Sequence, residues 1–272
     1  MRWFKIGNVT ISSSGKYLLH KYDAVSAGSV RRNESTYVNA DGSIFSDVNF
    51  EPRVFQIDGH IMAESEREMN RLKHQLIQEL NPKKEFEIKY FDGEKIYKAN
   101  AISDSLPDFG ERIKWVLPLS IYINIYGFYW NGNENRSEYV FRLTDNIHGT
   151  FELPMIISTK MNKTNIYNGG EVESFPTFII QCQESGSNVE ISIQNQTTHK
   201  ELKIIKDITT GESITVDMEK CKVTSNLDGN IIQLISIDSD FFELVPKLNQ
   251  IEVLCAKSIV AKCTFSERYL GV

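Results

Sequence analysis

The chain has 272 residues, 41% of them hydrophobic, with 30 Lys plus Arg against 36 Asp plus Glu, for a net charge of -6. That length favours one large or two ordinary domains, and the apolar content supplies real cores and excludes a disordered chain. The mild acidic excess argues against a nucleic-acid binder. The basic pairs Arg31-Arg32 and Lys83-Lys84 read as solvated faces or turns.

Met1-Arg2-Trp3-Phe4-Lys5-Ile6 turns polar at Gly7-Asn8, with no apolar h-region behind it. Neither a secretory signal nor a membrane span is expected. Tyr22 to Phe45 is long and polar, yet holds Tyr37, Val38, Ile44 and Phe45 around Asn39-Ala40-Asp41-Gly42. This pattern predicts a protruding hairpin. Alone in water such a hairpin is marginal, whereas laid on a neighbour it adds strand pairing and buries its apolar residues. The expected arm is Val30 to Phe45, with Val30, Tyr37, Val38, Ile44 and Phe45 at the contact.

Glu51-Pro52-Arg53 leads into an apolar-rich run, Val54 to Ile61, broken by Asp58-Gly59. The period then changes. Ser65 is placed to cap a helix, and Glu68 three residues on fits a capping box. Met69, Leu72, Leu76, Ile77 and Leu80 form one apolar stripe. Asn81-Pro82 ends the helix, because a residue before proline is pushed out of the α region. Phe86, Ile88 and Tyr90 alternate as a strand, Asp92-Gly93 is a hairpin turn, and Ile96-Tyr97 starts the return. One helix of about residues 65–80 laid over a sheet suggests a scaffold.

Trp115 to Trp130 is the most apolar window, interrupted by Pro118, Ser120, Asn124 and Gly127 and ending Phe128-Tyr129-Trp130. The polar run Trp130 to Ser137 reads as a linker or exposed loop, so domains are expected at 1–130 and 131–272. Beyond it short apolar runs recur, among them Val140 to Leu143, Met155 to Ile157, Thr177 to Ile180, Val189 to Ile193, Leu202 to Ile205, Ile214 to Val216, Ile231 to Ile235 and Ile251 to Leu254. Turn residues such as Ser185-Gly186-Ser187-Asn188, Thr210-Gly211 and Asp228-Gly229-Asn230 separate them. Many short strands at regular spacing predict a β-sandwich of jelly-roll type.

Chemistry is hard to find. Cys182, Cys221, Cys255 and Cys263 lie far apart, and reduced, buried thiols are the better reading. The five histidines His20, His60, His74, His148 and His199 form no zincin or finger spacing. No Gly-x-Ser-x-Gly elbow or nucleotide loop appears. Glu171/Glu173 and Glu85/Glu87 stand two apart, as glycosidase acids can, but read as solvated strand or turn acids. Asp238 and Asp240 lack a full calcium loop. No catalytic residue, metal or cofactor is expected. Tyr139, Tyr167 and Phe175 are candidate sugar-stacking platforms; their simpler reading is core or interface.

Several of these segments, in this order, resemble the siphophage distal tail protein (Dit) family of tail-tip and baseplate hub proteins. They are Glu51-Pro52-Arg53 before a strand, the strand–helix–Asn81-Pro82 unit, the Asp92-Gly93 hairpin, the aromatic ending at Trp130, and Asn168-Gly169-Gly170-Glu171-Val172-Glu173 with Phe175-Pro176-Thr177. Ser239 to Asn249 and the ending Glu267-Arg268-Tyr269-Leu270-Gly271-Val272 complete the set. Two segments depart from the family pattern. Lys247-Leu248 replaces the glycine of an expected Pro-Gly-Asn turn, and Thr197-Thr198-His199-Lys200 stands where Thr-Gly-Glu is expected.

The resemblance implies a mainly β chain. Its first domain would be sandwich-like, with one helix and a hairpin arm, and its second a galectin-like or carbohydrate-module-like β-sandwich. It implies a non-enzymatic ring, typically of six copies, at the virion tail tip and assembled in the host bacterial cytoplasm. Implied partners are other copies of the chain, the tail tube protein, a tail-tip or lysin-like protein, tape-measure protein and receptor-binding proteins, with no specific nucleic-acid binding and no membrane insertion. The alternative is a carbohydrate-binding β-sandwich module for host-surface adhesion.

Overall fold

The structure is a computed structural model that describes residues 2–23, 30–36, 43–127, 129–143 and 160–272. The chain divides into two compact units, Met1–Asn133 with Tyr269–Val272, and Glu134–Arg268. The last four residues thus return to the first unit, where Arg53 Nη2 donates to the Leu270 carbonyl at 2.6 Å and Tyr269 meets Tyr97 edge-on at 5.2 Å.

The first unit contains β1 (Trp3–Ile6), β2 (Val9–Ser12), β3 (Tyr17–Tyr22), β4 (Val30–Thr36), β5 (Ser43–Phe50), β6 (Arg53–Met62), α1 (Glu66–Glu79), β7 (Phe86–Phe91), β8 (Ile96–Ser103), β9 (Asp108–Phe109), β10 (Val116–Ile125) and the start of β11 (Trp130–Leu143). The order β8-β7-β1-β2-β3-β6-β10-β9 would be open were it not for a further β8–β10 pairing, Ile123 with Ser103 and Asn124 with Ile102. The sheet therefore closes into a barrel, a tighter form of the sandwich-like domain expected. Closure removes sheet edges. The seams are unequal: β6 and β10 pair from Arg53↔Ile125 to Met62↔Val116, whereas β2 and β3 meet in parallel only at Ser12↔Leu18.

Alternation fills the barrel. Phe55, Ile57 and Ile61 of β6 and Leu119, Ile121, Ile123 and Ile125 of β10 are buried, and their neighbours in sequence face outward. A cluster of aromatic rings runs through the core, with Phe4 stacked on Tyr90 and with Phe55 and Trp130 tilted against them. Helix α1 lies against β2 and β6 and buries Met69, Leu72 and Leu76. Its start is as the sequence predicts: Ser65 is extended and its Oγ accepts from Glu68 N at 3.2 Å. The return bond of the box is displaced by one residue, because Glu68 Oε2 accepts from Glu64 N at 2.8 Å.

The second unit continues with β12 (Lys160–Met161), β13 (Lys163–Asn168), β14 (Thr177–Cys182), β15 (Gly186–Asn195), β16 (Lys200–Ile208), β17 (Ser213–Asp217), β18 (Lys222–Ser225), β19 (Gly229–Asn230), β20 (Lys247–Cys255) and β21 (Ile259–Tyr269). Two sheets, β19-β18-β17-β14-β21-β11 and β13-β20-β15-β16, enclose one core with Phe178, Val216, Ile191, Leu202, Phe242 and Val253 at its centre.

Three sequence expectations change. The polar run from Trp130 to Ser137 is the first part of β11 and not a loop; its backbone pairs with β8 at Asn131↔Lys98 and Gly132↔Tyr97, and Arg136 bonds Glu267 at 2.8 Å. Ile231 to Ile235 is largely a single 3-10 turn, with Ile231 buried and Ile232 exposed. Cys221 is exposed in the turn before β18, while Cys182, Cys255 and Cys263 are buried thiols. Burial pushes the Cys182 thiol up to about 11 and Cys263 higher, so both stay protonated at neutral pH.

Candidate interaction surfaces

β4 and β5 form a two-stranded ribbon that pairs with no other strand among the described residues, in register from Val30↔Phe50 to Thr36↔Ser43. It runs on to Phe50, beyond the end expected from the sequence. Val30, Val48 and Phe50 are exposed on it. Tyr37 and Val38 lie outside the described residues, as do the side chains of Ile44 and Phe45. Such a ribbon has two unpaired edges and an apolar surface, a combination that natural proteins cover. Further apolar side chains, Met62, Ile113 and Trp115, are exposed at one end of the barrel, where the Arg112 guanidinium lies 5.2 Å from the Trp115 ring.

The three aromatic candidates do not converge. Tyr139 is exposed on β11 in one sheet of the sandwich, and Tyr167 on β13 in the other. Phe175 packs against the core, with Arg268 5.2 Å from its ring.

A feature that composition does not reveal lies on the outer face of β13-β20-β15-β16. Glu201 Oε1 accepts from Ser192 Oγ at 2.6 Å and from Gln194 Nε2 at 2.7 Å. Gln194 Oε1 accepts from Gln196 Nε2 at 2.7 Å, and that same amide donates to Glu252 Oε2 at 3.0 Å. Lys163 Nζ closes the row at 3.2 Å from Glu252. The ladder thus crosses all four strands. The sequence signal was the alternation of Ser192-Gln194-Gln196 with Ile191-Ile193, visible only once the inward face is known.

A second polar cluster is buried. The Lys206 ammonium and Glu212 carboxylate are in contact, with side chains 4% and 1% exposed, and Lys206 also meets Asp228 at 2.7 Å. Glu212 further accepts from Ser225 Oγ at 2.5 Å and from Thr209 N at 3.1 Å. Burial opposes ionisation of both, yet each partner holds the other charged: the Glu212 carboxyl lies below its ordinary range and the Lys206 ammonium above. Acid and base here neutralise each other, which suits a brace more than a catalytic pair. Among the described residues no group of three His, Cys, Asp or Glu is placed to hold a metal ion, and no helix is long and apolar enough to cross a membrane.

The barrel with its helix and hairpin, and the two-sheet sandwich after it, each match a known protein family. The model of the phage tail protein RIFT-related domain matches residues 7–114, and that of the siphovirus-type tail component, C-terminal domain, matches residues 169–269. The chain belongs to the siphophage distal tail protein family. Among solved structures it is similar to the Dit protein of phage SPP1, described as a paradigm of hub adsorption apparatus in phages infecting Gram-positive hosts. The TM-score is 0.76 at 14% identity, over 98% of this chain and 99% of that one. It is also similar to a chain of the phage P2 baseplate in its activated conformation with Ca, at TM-score 0.54 and 11% identity over the full length of both. The same baseplate with Sr gives 0.51 and 11%, over 97% and 98%. No curated protein matches in sequence.

Proposed function

We propose that this chain is a non-catalytic structural hub of a phage tail tip, forming a ring that joins the tail tube to the host-recognition apparatus. The observation that carries this reading is order: both halves match siphophage tail families in sequence, and the SPP1 hub protein aligns with the chain from end to end. In the ring the first domain makes the subunit contacts and the sandwich faces partner proteins. A ring requires heterologous contacts, in which one patch meets a different patch on the next copy. The β4–β5 ribbon is suited to be one such patch, with Val30, Tyr37, Val38, Ile44 and Phe45 as its contact residues, together with Val48 and Phe50. Each large apolar side chain that becomes fully covered contributes about 1.5–3 kcal/mol, so a few suffice to bias assembly.

The test is light scattering with negative-stain imaging of the purified full chain, alone and mixed with tail tube protein, beside a variant whose residues 31–49 are replaced by a short Gly-Ser link. Rings in the parent and smaller species in the variant are expected. Rings that survive the deletion would remove the arm from the interface, and a parent that stays monomeric even with the tube protein would remove the ring.

A further inference from the structure

We propose that the outer face of β13-β20-β15-β16 is a binding site for a neutral oligosaccharide, with Tyr167 as stacking platform and Asn165 and Gln250 as its hydrogen-bonding groups. The register sets these residues in rows. Tyr167 stands opposite Leu248, Asn165 opposite Gln250, and Lys163 opposite Glu252. Ile166, Ile251 and Val253 point into the core, so their alternating neighbours share the outer face. From the Tyr167 row to the Glu252 row is roughly 13 Å along the strands, enough for a short chain of sugar rings.

The two rows differ in a way that points to a ligand. Glu252 is almost fully buried and fixed by Lys163, Gln196 and Asn162. Between this anchored row and the exposed Tyr167, the side-chain amides of Asn165 and Gln250 have no hydrogen-bond partner among the described residues and are open to solvent. Amides that both donate and accept, held beside a fixed carboxylate, match vicinal hydroxyls, which also donate and accept. The exposed tyrosine face suits the apolar C–H side of a sugar ring.

Charge and pattern narrow the occupant. Glu190, Glu201, Asp207 and Glu252 outnumber Lys163 and Lys203 on this face, an acidic balance that disfavours a polyanion and sets aside nucleic acid and strongly acidic glycans. A protein-binding patch has an apolar centre and a polar rim. Here the centre is polar, and the apolar side chains Leu248, Leu254 and Ile205 lie around it. The proposal does not depend on ring formation. A ring would add avidity to weak single-site affinity.

The experiment screens the full chain on an array of defined neutral and acidic oligosaccharides, then titrates the best ligand calorimetrically. Oligomeric state is recorded on the same sample, so that loss of the ring and loss of binding are read separately. Tyr167→Ala and Gln250→Ala change exposed side chains, and their melting temperatures are expected to match the parent. Each should weaken binding by about tenfold or more, while Tyr139→Ala, on the other sheet, leaves it unchanged. Retention of no glycan, retention of acidic glycans only, or binding indifferent to Tyr167→Ala and Gln250→Ala would each overturn the assignment. So would equal loss in Tyr139→Ala.

Discussion

The two domains close their β-structure by different means. The barrel of the first curls one sheet onto itself around aromatic rings and sets a helix against β2 and β6. The sandwich of the second faces two sheets across a core that is mostly aliphatic, with Phe178 and Phe242 at its centre, and admits an ionic cluster into it. The difference bears on how each domain fails. An aromatic barrel depends on volume and on two thin seams, whereas a sandwich braced by Lys206 and Glu212 depends also on charge. The barrel also bears the exposed ribbon, while the sandwich bears the polar ladder.

The largest expected break in this comparison is Glu212→Ala. It leaves a buried ammonium with only the half-exposed Asp228, and removes the acceptor of Ser225 and Thr209. A cost of about 3–5 kcal/mol is expected, confined to the second calorimetric transition. Glu212→Gln keeps an oxygen for Ser225 and costs less. The pH dependence has a definite sign. Because the folded Glu212 carboxyl lies below its ordinary range, its stabilisation is complete above about pH 5 and is lost as pH falls through the folded value. The raised Lys206 ammonium acts in the opposite direction, losing its contribution only as alkaline pH passes its folded value. Acidification should therefore lower the sandwich transition before that of the barrel. Equal shifts in both would place the acid sensitivity elsewhere.

How much of this was legible in sequence follows from the same contrast. Helix α1, its Ser65 cap and the Asp92-Gly93 turn announce themselves, because caps and turns are local: Asp92 Oδ1 accepts from Glu94 N and Lys95 N, both at 2.7 Å. The start of β11 did not. Arg136 and Ser137 are polar and exposed, while the strand character of Asn131 and Gly132 comes from partners distant in the chain. Barrel closure by β8 and β10 is equally non-local. The ionic cluster was hidden because Lys206, Glu212 and Asp228 look like ordinary strand and turn charges until the folded register buries two of them. The polar ladder needed the inward face to be known first.

A middle-sized effect tests the barrel's helix. Ser65→Ala removes the acceptor for Glu68 N and is expected to cost about 1 kcal/mol, lowering the first transition only. A shift in the second transition alone would contradict the packing of α1 on β2 and β6.

The smallest effect runs in the stabilising direction and concerns two turns of the sandwich that place a non-glycine residue in left-handed backbone. His199 and Lys247 both adopt left-handed backbone, at φ 56° and 78°. A side chain there costs about 1–2 kcal/mol relative to glycine. The fold keeps Lys247 in place through Asn249, which is fully buried. Its side chain accepts from Val245 N at 2.9 Å and donates to the Val245 carbonyl at 2.7 Å and the Lys247 carbonyl at 3.3 Å. The Asn195 side chain serves His199's turn in the same manner, accepting from Thr197 N and donating to the Glu243 carbonyl, both at 3.0 Å. Glycine relieves the strain but adds freedom to the unfolded chain. Lys247→Gly and His199→Gly should therefore each stabilise the sandwich by about 0.5–1 kcal/mol net, with the asparagine clamps retained. A loss of stability on Lys247→Gly would mean that the lysine side chain, and not the Asn249 clamp, builds the turn.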